Sequence, residues 1–294
     1  MGAADVVPGV SGGTIAFITG IYQELIDSIK SINFNTLKLF FTGKFKEFWK
    51  QINGNFLLAV VIGIGISVLS LAKGLEYLLE HQPILIWSFF FGLIIASAIY
   101  IGKDISRWNI GTFVSLIAGA VIAYFITVLT PAEAHSSYGF VFLSGSIAIC
   151  AMILPGISGS FILVLLGMYK FILGSISSFN LPVIAVFLVG AAIGIVLFSN
   201  LLSWLLKRYY NLTIALLAGF MIGSLNKVWP WKETVETFID RHGEIKPLVE
   251  QNILPTNYES ITGQAPQIMG AVGLVILGFA LIFIIEGISK KLNK

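Results

Sequence analysis

Charged residues are few in this chain. They make up 11% of its 294 residues against 56% hydrophobic, with a mean hydropathy of +0.91, whereas about a quarter of an ordinary soluble domain is charged. That balance excludes a water-soluble globular protein and leaves a polytopic membrane protein. Cysteine is nearly absent: the single Cys150 excludes an intramolecular disulfide and any thiolate metal cluster. The three histidines, His81, His135 and His242, stand far apart without metal-ligand spacing. No grouping of His, Cys and carboxylate pairs a nucleophile with a base, so neither an enzyme nor a bound cofactor is expected. A net charge of +3 is too small to argue for nucleic acid as a partner. No basic stretch precedes the first apolar segment, so no cleavable signal is expected and insertion rests on the spans themselves.

What the chain has instead is one stretch written twice. Pro8-Gly9-Val10-Ser11-Gly12-Gly13-Thr14-Ile15, continuing to Gly20 and Tyr22, returns as Pro155-Gly156-Ile157-Ser158-Gly159-Ser160-Phe161-Ile162, continuing to Gly167 and Tyr169, every pair 147 residues apart. Each copy is a glycine-rich break followed by about fifteen apolar residues. Proline ends whatever precedes it, serine is a good N-cap, and the glycines leave backbone N–H groups unscreened. The pattern predicts a helix starting at each break, with an anion-shaped hole at its start.

Counting about 20 apolar residues as one crossing, spans are predicted near 56–79, 84–101, 111–129, 181–206, 211–225 and 266–286. The second motif separates two apolar limbs, Tyr138–Leu154 and Phe161–Ser178. Each limb would be about 25 Å long, short of a hydrocarbon core of about 30 Å. A re-entrant hairpin with its turn buried in protein is the expected form, and two full crossings are the alternative. Suppose the first hairpin opens to the cytoplasm and the second to the outside. Lys30, Lys38, Lys44, Lys46, Lys50, Lys103, Arg107, Lys207, Arg208, Lys290, Lys291 and Lys294 then all lie inside, as the positive-inside rule asks. The long loop 226–265 is net acidic and is placed outside; it opens with Trp229-Pro230-Trp231, an interfacial aromatic signature.

One hairpin and three spans per half make an odd number of crossings, so the halves are inverted. A second register supports this: a shift of 127 brings Gly63 onto Gly190, Leu75 onto Leu202, Gly92 onto Gly219 and Ser97 onto Ser224, and sets Glu80-His81 against Lys207-Arg208. The last span shows no clear register. The expected fold is an all-α polytopic membrane protein of two inverted repeats, near 1–130 and 138–290, each a re-entrant (broken) helical hairpin plus three transmembrane helices. The first half carries 20 extra residues within 30–55, where Leu37, Phe40, Phe41, Phe45, Phe48, Trp49 and Ile52 alternate with lysines. They read either as a cytoplasmic amphipathic helix on anionic lipid or as a lysine-rich loop obeying the orientation rule.

Inverted repeats with broken helices are secondary-transporter architecture, with the substrate where half-helix ends converge. Ser11, Gly12, Gly13 and Thr14 in one copy and Ser158, Gly159 and Ser160 in the other offer N–H and hydroxyl donors and few acceptors, so the expected guest is an anion of phosphate geometry. The plain alternative is two structural turns whose serines only cap helices. Among polar residues elsewhere, Lys73 and Glu76 share a helical face, as a path or a structural pair, with Asn200 and Ser203 as repeat counterparts. Asp5 is a candidate for a coupling proton or sodium ion, or a residue in water, and Lys227 an external phosphate collector or a span end.

The run Gly2-Ala3-Ala4-Asp5-Val6-Val7-Pro8-Gly9-Val10-Ser11-Gly12-Gly13-Thr14, together with Ala151-Met152-Ile153-Leu154-Pro155-Gly156-Ile157-Ser158-Gly159-Ser160-Phe161, resembles the bacterial and archaeal family first catalogued as domain of unknown function 368. That family is associated with polyprenyl-phosphate transport, and the resemblance covers essentially the whole chain, including Gly219 to Ser224 and the Trp-Pro-Trp that follows. It implies a cytoplasmic-membrane flippase returning undecaprenyl phosphate from the outer to the inner leaflet, for recycling of the carrier lipid in envelope synthesis. It also implies a prenyl tail left in the lipid. The family commonly has an apolar limb before the first motif, where this chain has seven residues before Pro8. A small-anion channel or exchanger for chloride or phosphate is the competing expectation.

Overall fold

The structure is a computed structural model that describes residues 1–2, 11–129, 135–239 and 245–292. Fourteen helices and one β-hairpin are defined among them. In the first half they are α1 (Gly12–Ile18), α2 (Tyr22–Lys30), α3 (Phe34–Phe41), α4 (Phe45–Gln51), α5 (Gly54–His81), α6 (Pro83–Gly102) and α7 (Ile110–Val128). The second half has α8 (Tyr138–Ile153), α9 (Gly159–Leu165), α10 (Tyr169–Ser177), α11 (Leu181–Arg208) and α12 (Tyr210–Ser224), then β1 (Lys232–Ile239), β2 (Ile245–Asn252), α13 (Pro255–Thr262) and α14 (Ile268–Leu292).

All six predicted spans are helices. Of these α5, α6, α7 and α11 are long and apolar enough to cross a membrane, while α12 and the apolar part of α14 are shorter, as is α8, the limb before the second motif. Large side chains on the outer helices face outward: Leu69 is 86% exposed, Ile110 84% and Leu197 65%. Apolar surface of that extent requires lipid around it. The inner helices are α6 and α12, which pack on each other; α14 covers α6, α7 covers α12, and α8 lies along α11.

The helices after the two motifs are not the continuous limbs that the sequence predicts. Each stops after seven residues, about 10 Å, and a second helix leaves at an angle, 108° between α9 and α10. The cause is the glycine that closes each motif stretch. Gly20 has φ +75° and Gly167 φ +68°, and at each the chain closes a Schellman turn. Gly20 N–H donates to the Phe17 carbonyl and Ile21 N–H to that of Ala16; Gly167 donates to Val164 and Met168 to Leu163. Glycine takes this left-handed conformation without the penalty a Cβ brings, so it terminates the helix.

The internal likeness extends beyond the motifs. α5 and α11 both have 28 residues and are shifted by 127. The residues that follow them, Gln82 (φ −137°, ψ 50°) and Tyr209 (φ −133°, ψ 48°), share one conformation. The last span, which has no clear register in sequence, acquires one from packing. Gly278 of α14 lies against the Phe89 carbonyl of α6, and Gly119 of α7 against the Leu216 carbonyl of α12. Gly92 meets Val275 as Gly219 meets Leu116. α7 therefore corresponds to α14 at a shift of 159.

Two parts of the fold belong to one half alone. α3 and α4, the extra residues of the first half, are short helices that display Phe34 (83% exposed), Phe41 (82%) and Phe45 (59%). The loop 226–265 is not irregular. It contains β1 and β2, paired antiparallel with Lys232 opposite Asn252, and α13. Trp229 and Trp231 fasten it by donating to the carbonyls of Ile253 and Pro266 at 2.9 and 2.8 Å.

Candidate functional site

The two motifs meet. Ser11, 1% exposed, caps α1 by accepting from the Gly13 N–H at 3.1 Å. Its hydroxyl hydrogen points between the carbonyls of Met152 (3.1 Å) and Leu154 (2.9 Å), at the end of α8. Gly13 lies so close to the Ile153 carbonyl that a Cβ would overlap it. Thr14 is fully buried, and its Oγ1 accepts from the Gly156 N–H at 3.2 Å. Tyr22, from α2, donates its hydroxyl to the Ile153 carbonyl at 3.2 Å. The first copy thus satisfies backbone groups that a broken helix would otherwise leave orphaned.

The second copy is arranged differently. Gly156 has φ +87°, and its backbone abuts Ser224 and Met221 on α12. Ser158 is extended (φ −100°, ψ 134°) and stands at the N-cap of α9, yet its side chain caps nothing; its Oγ lies 2.8 Å from Ser160 Oγ. Gly159 N–H and Ser160 N–H fall in the first turn, where no intrahelical acceptor exists. Ser158 is buried and Ser160 half-buried. Two hydroxyls bonded to each other and two first-turn amides make a donor-rich recess, and an anion there could take hydrogen bonds from all four.

The other predicted residues are distributed unevenly. Lys227 is brought to the second motif: its Nζ stands 4.9 Å from the ring centroid of Phe161, in the first turn of α9. Asn200 is not. It is exposed on α11 and donates to its own Val196 carbonyl at 2.8 Å. Asp5, and the side chains of Lys73 and Glu76, lie outside the described residues. Ser203 belongs to a different contact, donating to Asp27 at 2.7 Å beside Lys207 at 3.1 Å and so tying α2 to α11.

Two residues that sequence reasoning passed over adjoin this site. Lys232 has a side chain only 7% exposed, 4.1 Å over the Trp87 ring, and Glu250 joins it to Lys227. Burial pushes the Lys232 ammonium down to about 8 despite the neighbouring carboxylate. Burial pulls Glu250 upward, but the charges of Lys232 and Lys227 outweigh it and hold the carboxyl below its usual range. A lysine directly after Trp-Pro-Trp was the one available signal; the glutamate, eighteen residues on in sequence, had none.

Residues 1–246 match the family model VCA0040-like, described as undecaprenyl phosphate translocase-like. A protein of Vibrio cholerae serotype O1 (strain ATCC 39315 / El Tor Inaba N16961) named polyprenyl-phosphate transporter is 48% identical over 291 residues, covering 99% of this chain and 94% of that one. Another of the same name, from Staphylococcus aureus (strain NCTC 8325 / PS 47), is 34% identical over 249 residues, 78% of this chain and 83% of that one. No solved structure matches.

Proposed function

The chain belongs to the undecaprenyl phosphate translocase-like family, and on that premise we propose that it carries undecaprenyl phosphate, or a related polyprenyl phosphate, from the outer to the inner leaflet of the bacterial cytoplasmic membrane. It is a transporter rather than an enzyme. The two halves are inverted about the membrane midplane, and the phosphate sits where the two motifs meet.

The observation that carries this reading is the asymmetry of the paired motifs. Ser11 and Thr14 are committed to holding residues 152–156, while among the described residues Ser158 and Ser160 bond each other. In this conformation the second copy receives the phosphate, with Ser158, Ser160 and the amides of Gly159 and Ser160 as donors, and the first copy braces it. Ser11, Gly12, Gly13 and Thr14 take the corresponding part when the site opens to the other side, as the inverted halves exchange roles. The movement is coupled to protons or sodium.

The alternative of a small anion is weighed by the surface around the site. A groove of about 340 Å³ lies between α7 and α12, lined by Val121, Phe125, Ile222, Gly223 and Asn226. It is almost wholly apolar and sits among side chains exposed to the bilayer. A prenyl chain needs such a lateral seam, whereas chloride or free phosphate needs a polar one.

The test is a leaflet assay in proteoliposomes, comparing wild type with the Ser158→Ala/Ser160→Ala variant. Wild-type transfer of undecaprenyl phosphate no faster than in empty vesicles would end the proposal. Rapid wild-type transfer that the double variant retains would remove only the assigned site. Chloride or phosphate flux without lipid transfer would establish the anion channel instead.

A further inference from the structure

We propose that Lys227 and Lys232 form an entrance site for a dianionic phosphate group, and that the Glu250 carboxylate holds it as a tethered stand-in which the arriving headgroup displaces. The inference rests on the transport reading above and adds to it a second anion site, together with the part played by the hairpin.

Three charges share one partly enclosed space. Glu250 Oε2 lies 3.3 Å from Lys232 Nζ and 3.7 Å from Lys227 Nζ, so a single carboxylate oxygen bridges two ammonium groups. The side chains are 7% exposed at Lys232, 25% at Lys227 and 24% at Glu250. Neither cation can relax freely into water. Lys232 is laid over the Trp87 ring at 4.1 Å, and Lys227 over the Phe161 ring at 4.9 Å, both positions favourable to a cation.

Among the described residues the arrangement has one positive charge too many. Two ammonium groups and one carboxylate leave a net +1, which is costly where water is scarce. A phosphate monoester carries about −1.5 to −2 near neutral pH and offers three acceptor oxygens where the bridging carboxylate uses one. It would match both lysines at once. Its competitor is covalently tied to the hairpin: Glu250 sits on β2 and Lys232 on β1, while Lys227 follows α12. Displacing Glu250 therefore unfastens the hairpin from Lys227 while Lys232 keeps its seat on Trp87.

Position argues in the same direction. Phe161 lies three residues beyond Ser158, so the Lys227 ammonium stands against a side chain of the first turn of α9, the turn that carries the donor recess. An anion released by the lysine pair has the paired hydroxyls of Ser158 and Ser160 as its next donors.

The experiment is calorimetric titration of the full chain in nanodiscs, with farnesyl phosphate in one arm and inorganic phosphate in the other. Removing the tethered competitor must tighten binding: Glu250→Gln is expected to lower the Kd for farnesyl phosphate about tenfold, and Lys227→Gln or Lys232→Gln to raise it about tenfold. If Glu250→Gln does not fold, Glu250→Asp, which withdraws the carboxylate by one methylene, must shift affinity in the same direction as the Gln variant. Unchanged or weaker binding by folded Glu250 variants overturns the inference and leaves the cluster a structural clamp. Farnesyl phosphate bound far more tightly than inorganic phosphate assigns the site to a lipid headgroup; equal affinity assigns it to free phosphate. A wild type that binds farnesyl phosphate with an affinity none of the variants alters defeats the entrance site alone. A wild type that neither binds it nor transfers the long-chain lipid defeats the transport reading as well.

Discussion

Two serines at matching places in a repeat do different work, and the difference can be measured. Ser11→Ala removes an N-cap worth about 1 kcal/mol and leaves two buried carbonyls without their shared donor, a further cost of about 1–3 kcal/mol. Its thermal midpoint in detergent should fall clearly. Ser158→Ala removes no capping bond and only the hydroxyl contact with Ser160, so it should cost about 1 kcal/mol, less than Ser11→Ala, while lipid transfer drops. The two bends offer a cleaner contrast. Gly20 has no neighbour within 4 Å of where a Cβ would lie and Gly167 is at φ +68°, so Gly20→Ala and Gly167→Ala should each cost about 1–2 kcal/mol through backbone conformation. Equal losses, additive in the double variant, would confirm that the two turns are equivalent. Both glycines are conspicuous in the sequence repeat, followed by apolar Ile21 and Met168, and that pattern is a helix stop. The long apolar run around them masked it, because hydropathy carries no information about φ.

At the scale of elements, the spans were readable because lipid demands long apolar runs whatever the packing. The hairpin was not, since its strands rest on alternation over only eight residues each within a loop chosen for its charge. Its clamp has a pH signature. Lys232 titrates near 8 in the folded chain against 10.5 when exposed. Between those values the unfolded chain holds the additional proton, so stability rises with pH across that window. The wild-type melting midpoint should therefore climb from pH 8 to 10 relative to Lys232→Met, and parallel curves would contradict the burial of the ammonium. α3 and α4 carry the other prediction at this scale. With Phe34, Phe41 and Phe45 exposed beside Lys38, Lys44 and Lys46, they suit the membrane surface better than water. In a Cys150→Ala background, Phe41→Cys should resist a water-soluble maleimide that labels Lys38→Cys in inside-out vesicles; equal labelling would make the segment an ordinary loop.

For the whole molecule, the decisive question is which way each half faces. Phe34 opens α3 directly after the connection that follows α2, and Phe179 lies in the connection after α10; they are 83% and 80% exposed. If the halves are inverted, Phe179→Cys labels from outside intact cells with an impermeant maleimide and Phe34→Cys does not; labelling of both from one side would refute the inversion. The sequence by itself determined that this is a helical membrane protein, that its motif is doubled, and where its spans lie, because those properties follow from composition and from spacing along the chain. Only the tertiary structure decided that the first motif clasps the second, that α7 corresponds to α14, and that Lys232 and Glu250 stand beside Lys227. The physical reason is that each depends on contacts between residues remote in sequence. A hydroxyl looks the same in the sequence whether it satisfies a carbonyl more than 140 residues away, as Ser11 does, or pairs with a hydroxyl two residues on, as Ser158 does.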